Sequence, residues 1–451
     1  MKGETESYTS GTRDRNFNKQ VFIALILKGA SVALNLLLVP LYIQFLGQER
    51  YGVWVTLIAS ANWIIFMDIG IGNGMRNKLS EALALGDFDA AREYVSTAYI
   101  ALGAIVVSIA LLAVSLFGFL NFPAIFNTTV IDAHQLKVGV LIVVLSIIFN
   151  FLLSLTNAVL NALQKNSFIS LGLIIGNFLM LLVFLLFSNS IAMESRFLFV
   201  AKWYSLSLMA GSILLSYFTF KYNPRLIPSF RFFDKNKIRS IANLGGRFFI
   251  LEISVVVVLT TDSLIISQLY GAAEVTPYYV TQKIFQVATI LASILVQPLW
   301  SASTEAFSKG DVDWIKNKLK FLLKVFVGYV VLVLGLILFF QPIKNIWVGE
   351  TVVVPESLKW FMGLYVVLWF WNNIFNKVLN GLSVLYTQIL VAVVGIVINI
   401  PLCFLFAKTF NMGLSGIVMG AIIILIIAAC IYPVQSYLLL ENKAKGIWAK
   451  K

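Results

Sequence analysis

Apolar runs of about 20 residues recur along the whole chain, and that pattern leaves few folds open. A run of this length, coiled as a helix, crosses about 30 Å of hydrocarbon. In lipid a backbone must satisfy its own N–H and C=O groups, which only helices and closed barrels do. Barrel strands would read as short alternating segments, whereas the runs here are long and unbroken, as in VFIALILKGASVALNLLLVPLYIQFL from Val21 to Leu46. Only 12% of the 451 residues are charged and 59% are hydrophobic, against roughly 25% charged in soluble domains. The chain therefore reads as an all-α integral membrane protein. Twelve spans are expected, at about 20–46, 51–72, 94–117, 137–160, 166–188, 197–220, 247–270, 277–300, 320–341, 358–380, 384–407 and 412–438.

Two blocks echo each other across the chain. SEALALGDFDAAR, from Ser80 to Arg92, returns as TEAFSKGDVDWIK, from Thr304 to Lys316. At this offset of about 224, Gly86, Asp87 and Asp89 recur as Gly310, Asp311 and Asp313, Arg92 as Lys316, and Gly47 as Gly271. A second echo, offset by about 219, carries Asn157, Val159, Leu160, Asn161 and Leu163 into Asn376, Val378, Leu379, Asn380 and Leu382. Self-similarity at a fixed spacing in so apolar a chain points to a transporter built from two repeats. Six spans per half is an even number, so the repeat is parallel, with an N-lobe over 1–220, a basic cytoplasmic linker over 221–246 and a C-lobe over 247–451. Each echoed block is expected to be a cytoplasmic elbow, with Gly86 and Gly310 ending one helix and Asp87 and Asp311 capping the next.

The formal charge of +13 follows membrane topology. With the N-terminus placed inside, the outer segments hold only Arg50, Lys137, Arg196, Lys344, Lys359 and Lys408, and the inner segments hold about four times as many cations. Both termini are then cytoplasmic. The basic excess is a topology signal with some attraction to anionic inner-leaflet lipid, not a nucleic-acid footprint.

Several chemistries drop out. His134 is the only histidine, which removes His-based metal sites and Ser/His or Cys/His catalysis. Cys403 and Cys430 sit in late apolar runs and read as packing residues. Gly70, Gly72 and Gly74 end a span without the Lys-Ser/Thr of a nucleotide loop. Outer loops are short, so no enzyme domain fits there, and no cofactor is expected.

Charged residues inside spans cost roughly 2.5–3.5 kcal/mol each at mid-membrane, so they mark candidate sites. Asp68 and Lys377 lie near inner helix ends, where they reach interfacial water. Lys28 is about eight residues from its inner edge, roughly 12 Å at 1.5 Å per residue, and should face a cavity. The repeat places Glu252 at the equivalent position, so the two could pair across a cleft in one state and part in another. Asp262 and Lys283 sit at similar depth on consecutive spans; they either pair structurally or form an ion-coupling site for H⁺ or Na⁺. Tyr279, Lys283 and Gln286 form a polar stripe at i, i+4 and i+7, and Lys202, beside Trp203 and Tyr204, is the comparable candidate in the first half. Trp369, Phe370 and Trp371 precede Asn372, Asn373 and Asn376; such rings either contact sugar beside amides or pack and face lipid. The lysines Lys28, Lys202 and Lys283 are tolerable in a membrane if they face water and meet an anionic ligand.

The opening LKGASVALNLLLVPLYIQFLGQERYGVWVTL and the following FMDIGIGNGMRNKLSEALALGD resemble the start of bacterial polysaccharide transporters of the O-antigen flippase type. These belong to the multidrug/oligosaccharidyl-lipid/polysaccharide (MOP) exporter superfamily. TTDSLIISQLYGAAEVTPYYVTQKIFQVA is similar to that family's seventh and eighth spans, with Asp262, Gly271 and Tyr279 in the corresponding places. The resemblance implies two six-helix lobes around a central cavity in the bacterial cytoplasmic membrane. It also implies alternating access that carries an undecaprenyl-pyrophosphate-linked glycan from the inner to the outer leaflet, alongside membrane lipid, a glycan polymerase and other assembly proteins. The pyrophosphate would supply the charge for Lys28, Lys202 and Lys283. A cation-coupled multidrug exporter of the same superfamily is the alternative.

Overall fold

A computed structural model describes residues 10–61, 63, 71–163, 165, 168–187, 190–241, 261–308, 310–382 and 384–449. Among them the chain is helical, with no strand. Nine of these helices are long and apolar enough to cross a membrane: Ile26–Leu46, Phe88–Phe117, Ala133–Ala162, Ile169–Phe187, Met193–Tyr222, Ala272–Val296, Val312–Leu338, Tyr386–Thr409 and Leu414–Leu440. The protein is thus an all-α, multi-pass membrane protein. The expected spans 51–72 and 247–270 fall partly outside the described residues. The expected span 358–380 lies in one unbroken helix, Glu356–Gly381, whose Asn372, Asn373, Asn376 and Lys377 lower its mean hydropathy.

The chain divides into two compact units. The first comprises Met1–Gly47, Ala61–Ala124 and Thr129–Ile250; the second comprises Gln48–Ser60, Ile125–Thr128 and Leu251–Lys451. Helices α1 (Ser10–Leu46), α3 (Ile71–Ala84), α4 (Phe88–Phe117), α5 (Ala133–Leu153), α6 (Leu155–Ala162), α7 (Ile169–Phe187) and α8 (Arg196–Tyr222) build the first unit. Nearly all of α2 (Gln48–Ala61) joins α9 (Asp262–Tyr270), α10 (Val275–Ser308), α11 (Val312–Leu338), α12 (Phe340–Val348), α13 (Glu356–Gly381), α14 (Tyr386–Phe404) and α15 (Leu414–Leu440) in the second. Within that unit, Gln48 Nε2 donates to Ala273 O at 3.2 Å and Thr276 Oγ1 returns a bond to Gln48 O at 2.7 Å.

The elbows repeat bond for bond. Gly86 and Gly310 take φ of 73° and 75°, the left-handed region that glycine enters without steric penalty. Asp87 N donates to Ala82 O at 3.0 Å and Asp311 N to Ala306 O at 2.8 Å, the six-to-one bond that closes a helix end around such a glycine. The next helix then starts on the same aspartate: Asp87 Oδ1 accepts from Ala90 N and Asp311 Oδ1 from Trp314 N. The second echo also holds, Lys165 N donating to Leu160 O at 2.8 Å and Val384 N to Leu379 O at 3.1 Å.

The described part of the linker is docked. Leu226 and Ile241, each 2% exposed, enter the core formed by Met75, Leu79, Val95 and Ala98. Its backbone is held by hydroxyls on the first turns of α4, with Ser229 N donating to Ser96 Oγ and Asp234 N to Thr97 Oγ1. Helices α7 and α8 meet through small residues: a Cβ on Gly211 would lie 2.2 Å from Gly172 O, the close backbone approach that replaces a hydrophobic drive between helices in lipid.

Candidate functional site

The second unit holds a buried acid. Asp262 begins α9 and is 7% exposed. Its Oδ2 accepts from the Tyr278 hydroxyl at 2.5 Å, while its Oδ1 is buried with no hydrogen-bond partner among the described residues. Tyr365 on α13 and Cys403 on α14 lie within electrostatic reach of the same carboxyl. A buried carboxyl with one oxygen unpaired is a place where a proton or a small cation completes the coordination.

The ion pair weighed between Asp262 and Lys283 does not form: the partner of Asp262 is Tyr278. The reason is helical geometry. Each residue turns the side chain by about 100°, so adjacent Tyr278 and Tyr279 look in different directions. Tyr278 is buried against Asp262. Tyr279 is half-buried, its ring centroid 6.1 Å from that of Tyr51, with Lys283 Nζ 5.1 Å from its centroid. The polar stripe therefore exists on α10, with Tyr279 and Lys283 in contact and Gln286 exposed one turn on.

In the first unit Lys28 on α1 and Lys202 on α8 are both exposed. Trp203 stacks on Phe187 at 6.1 Å with 15° between the rings, so it packs and leaves Lys202 outward. Glu252, and with it the expected exchange with Lys28, lies outside the described residues, as does Asp68. Lys377 is half-buried, its Nζ 5.3 Å from the Trp300 centroid. Of the cysteines, Cys403 is buried and its Sγ–H points to Ile417 O at 3.4 Å. Cys430 is exposed, so the packing role expected of it is wrong.

The aromatic run splits by face. Phe370 is fully buried and packs 4.5 Å from Tyr329; Trp371 donates to Ala429 O. Trp369 lines an open cavity, together with Tyr365, Asn372, Asn373, Asn376 and Tyr432. Sequence reasoning passed over Tyr278, Tyr365 and Tyr432. The available signal for the first was the doubled tyrosine in TPYYVTQ, which places one hydroxyl on each side of the helix; the other two are single polar groups in apolar runs and become legible only when helices are assembled.

No protein-family model matches the chain. Among curated proteins it is 25% identical over 421 residues to a Salmonella typhimurium protein named "Putative O-antigen transporter", covering 89% of this chain and 91% of the relative. It is 23% identical over 364 residues to a Yersinia pseudotuberculosis protein named "Putative O-antigen export protein", covering 77% and 81%. Among solved structures, an inward-facing multidrug resistance MATE family transporter of the MOP superfamily superposes with a TM-score of 0.76 at 14% identity, over 92% of this chain and 95% of that one. A MOP superfamily transporter from Pyrococcus furiosus superposes with a TM-score of 0.67 at 14% identity, over 94% and 95%. The chain thus has the fold of the MATE transporters of the MOP superfamily, and its sequence is similar along most of its length to O-antigen transporters.

Proposed function

We propose that the protein is a flippase that moves an undecaprenyl-pyrophosphate-linked glycan from the inner to the outer leaflet of a bacterial cytoplasmic membrane. The observation that carries this reading is the extended similarity to O-antigen transporters on a MOP-type fold. The chain would cross the membrane twelve times as two six-helix lobes, 1–220 and 247–451 joined by 221–246, with both termini in the cytoplasm, and alternate its access between the two faces. Lys28, Lys202 and Lys283, with Tyr279 and Gln286, would meet the pyrophosphate and adjoining sugar. Charge-assisted contacts of this kind are stronger than neutral ones. The polyprenyl tail would stay in lipid, so neither charges nor sugars enter hydrocarbon. Asp262, with Glu252, would take up H⁺ or Na⁺ and couple transport to a gradient. A glycan polymerase and other assembly proteins would use the product on the outer face.

The test is deletion of the gene, followed by identification of what accumulates. A lipid-linked glycan retained on the inner leaflet, restored to the surface by plasmid-borne protein, is the expected result. Normal surface glycan together with hypersensitivity to cationic drugs would replace this reading with the multidrug exporter.

A further inference from the structure

The cavity beside Trp369 is the feature that the lysine and aspartate sites leave unused. It encloses about 300 Å³ within the second unit, between α13, α14 and α15. Trp369, Asn372, Asn373 and Asn376 fall at i, i+3, i+4 and i+7, so one face of α13 presents a flat ring beside three amides. Tyr365 and Tyr432 add two further rings, and the facing wall is kept low by Gly395, Ala421 and Ala428.

The amides are incompletely paired. Asn372, 3% exposed, donates through Nδ2 to Leu425 O at 2.9 Å, and Asn373 Nδ2 donates to Trp369 O at 2.9 Å. The Oδ1 atoms of Asn372 and Asn376 are buried and find no partner among the described residues. Unpaired amide oxygens inside a membrane protein are unfavourable; rotation of the Asn376 amide toward the cavity would pair its oxygen with a ligand that donates. Among the described residues no carboxylate or ammonium lines the cavity, and the nearby Lys377 is turned onto Trp300. Those residues offer no counter-charge to a phosphate or a metal cation. A ligand with hydroxyl donors around an apolar C–H face satisfies both the amides and the rings.

We propose that this cavity is a recognition site for a single pyranose ring of the transported glycan. The proposal rests on the flippase reading for the origin of that sugar. Trp369 stacks against the C–H face, Asn376, its amide rotated toward the cavity, accepts from a ring hydroxyl, and the volume limits the site to one residue of the chain.

The test uses the full-length protein purified in detergent, with saturation-transfer NMR against a panel of methyl pyranosides, and with tetraphenylphosphonium as an organic-cation probe. At least one pyranoside should receive saturation from the wild type. Its apparent Kd should weaken about tenfold or more in Trp369→Ala and in Asn376→Leu, and be recovered in part by Trp369→Phe, whose ring is kept. Trp203→Phe, a ring in the first unit, should leave it unchanged, and elution as a single symmetric peak controls for folding. The site is refuted if no pyranoside contacts the wild type, if Trp369→Ala and Asn376→Leu bind like wild type, or if only the organic cation binds. A wild type that exports glycan in cells but contacts no pyranoside overturns this site alone, whereas failure of the deletion experiment overturns the flippase reading.

Discussion

Arg92 and Lys316 do the same work in the two halves. They are 224 residues apart, each one turn into the helix that follows a Gly-Asp elbow, and each ties down the segment that follows a later helix. Arg92 Nε donates to Ile227 O at 3.1 Å after α8; Lys316 Nζ pairs with Glu441 Oε1 at 2.6 Å after α15. The position of the cation is common to both halves, while its partner has diverged from a backbone carbonyl to a carboxylate.

Arg92 also lies over the Phe232 ring, 4.2 Å from its centroid. Arg92→Ala removes both contacts and should loosen the linker by about 1 kcal/mol. Trypsin cleavage at Arg225 and Arg231 in inside-out vesicles should accelerate. Equal cleavage rates in wild type and variant would show that the hydroxyl bonds from Ser96 and Thr97 hold the linker unaided.

The Lys316 tie should be pH-dependent. The hydrogen bond from the Lys316 ammonium holds the Glu441 carboxyl below its usual range. A carboxyl depressed in the folded state favours docking above the ordinary value of about 4.3, and that contribution disappears as pH falls through the lower folded value. The mobility of a spin label already attached to a cysteine placed at Lys445 should therefore stay low at pH 7 and rise only below about pH 4. In Lys316→Ala it should be as high at pH 7 as at pH 4.

At Gly211 α8 approaches the backbone of α7 closely. Gly211→Leu would drive a side chain into the Gly172 carbonyl, and overpacking of this kind costs about 1–3 kcal/mol. A lower thermal unfolding midpoint in detergent, with less protein in the membrane, is expected. Ser212→Leu, one residue on and half-buried, should have the smaller effect.

Asp262→Asn keeps shape but cannot hold a cation, so transport driven by an H⁺ or Na⁺ gradient in proteoliposomes should fall at least about tenfold with insertion unchanged. Tyr278→Phe leaves both carboxyl oxygens without a hydrogen bond among the described residues and should shift the ion dependence without abolishing transport. Wild-type rates in Asp262→Asn would remove the carboxyl from coupling.

Replacing Lys28, Lys202 or Lys283 by Gln should each lower surface glycan in complemented cells by roughly tenfold, the worth of one charged hydrogen bond. Arg should retain more than Gln because it keeps the charge. Normal glycan from all three Gln variants at normal expression would place phosphate recognition elsewhere.

The sequence by itself determined the all-helical membrane class, because long apolar runs admit one secondary structure in lipid. It also determined the elbows at Gly86 and Gly310, since a positive φ and an aspartate cap are local requirements that a short motif can state. Tertiary structure alone decided which polar groups meet. Asp262 selected Tyr278 over Lys283, Trp369 separated from Phe370 and Trp371, and α2 packed in the second unit, because partners in a bundle are set by helix rotation and by neighbours far apart in the chain. A pattern of apolar and polar residues fixes the face a side chain occupies, but leaves open which helix lies opposite.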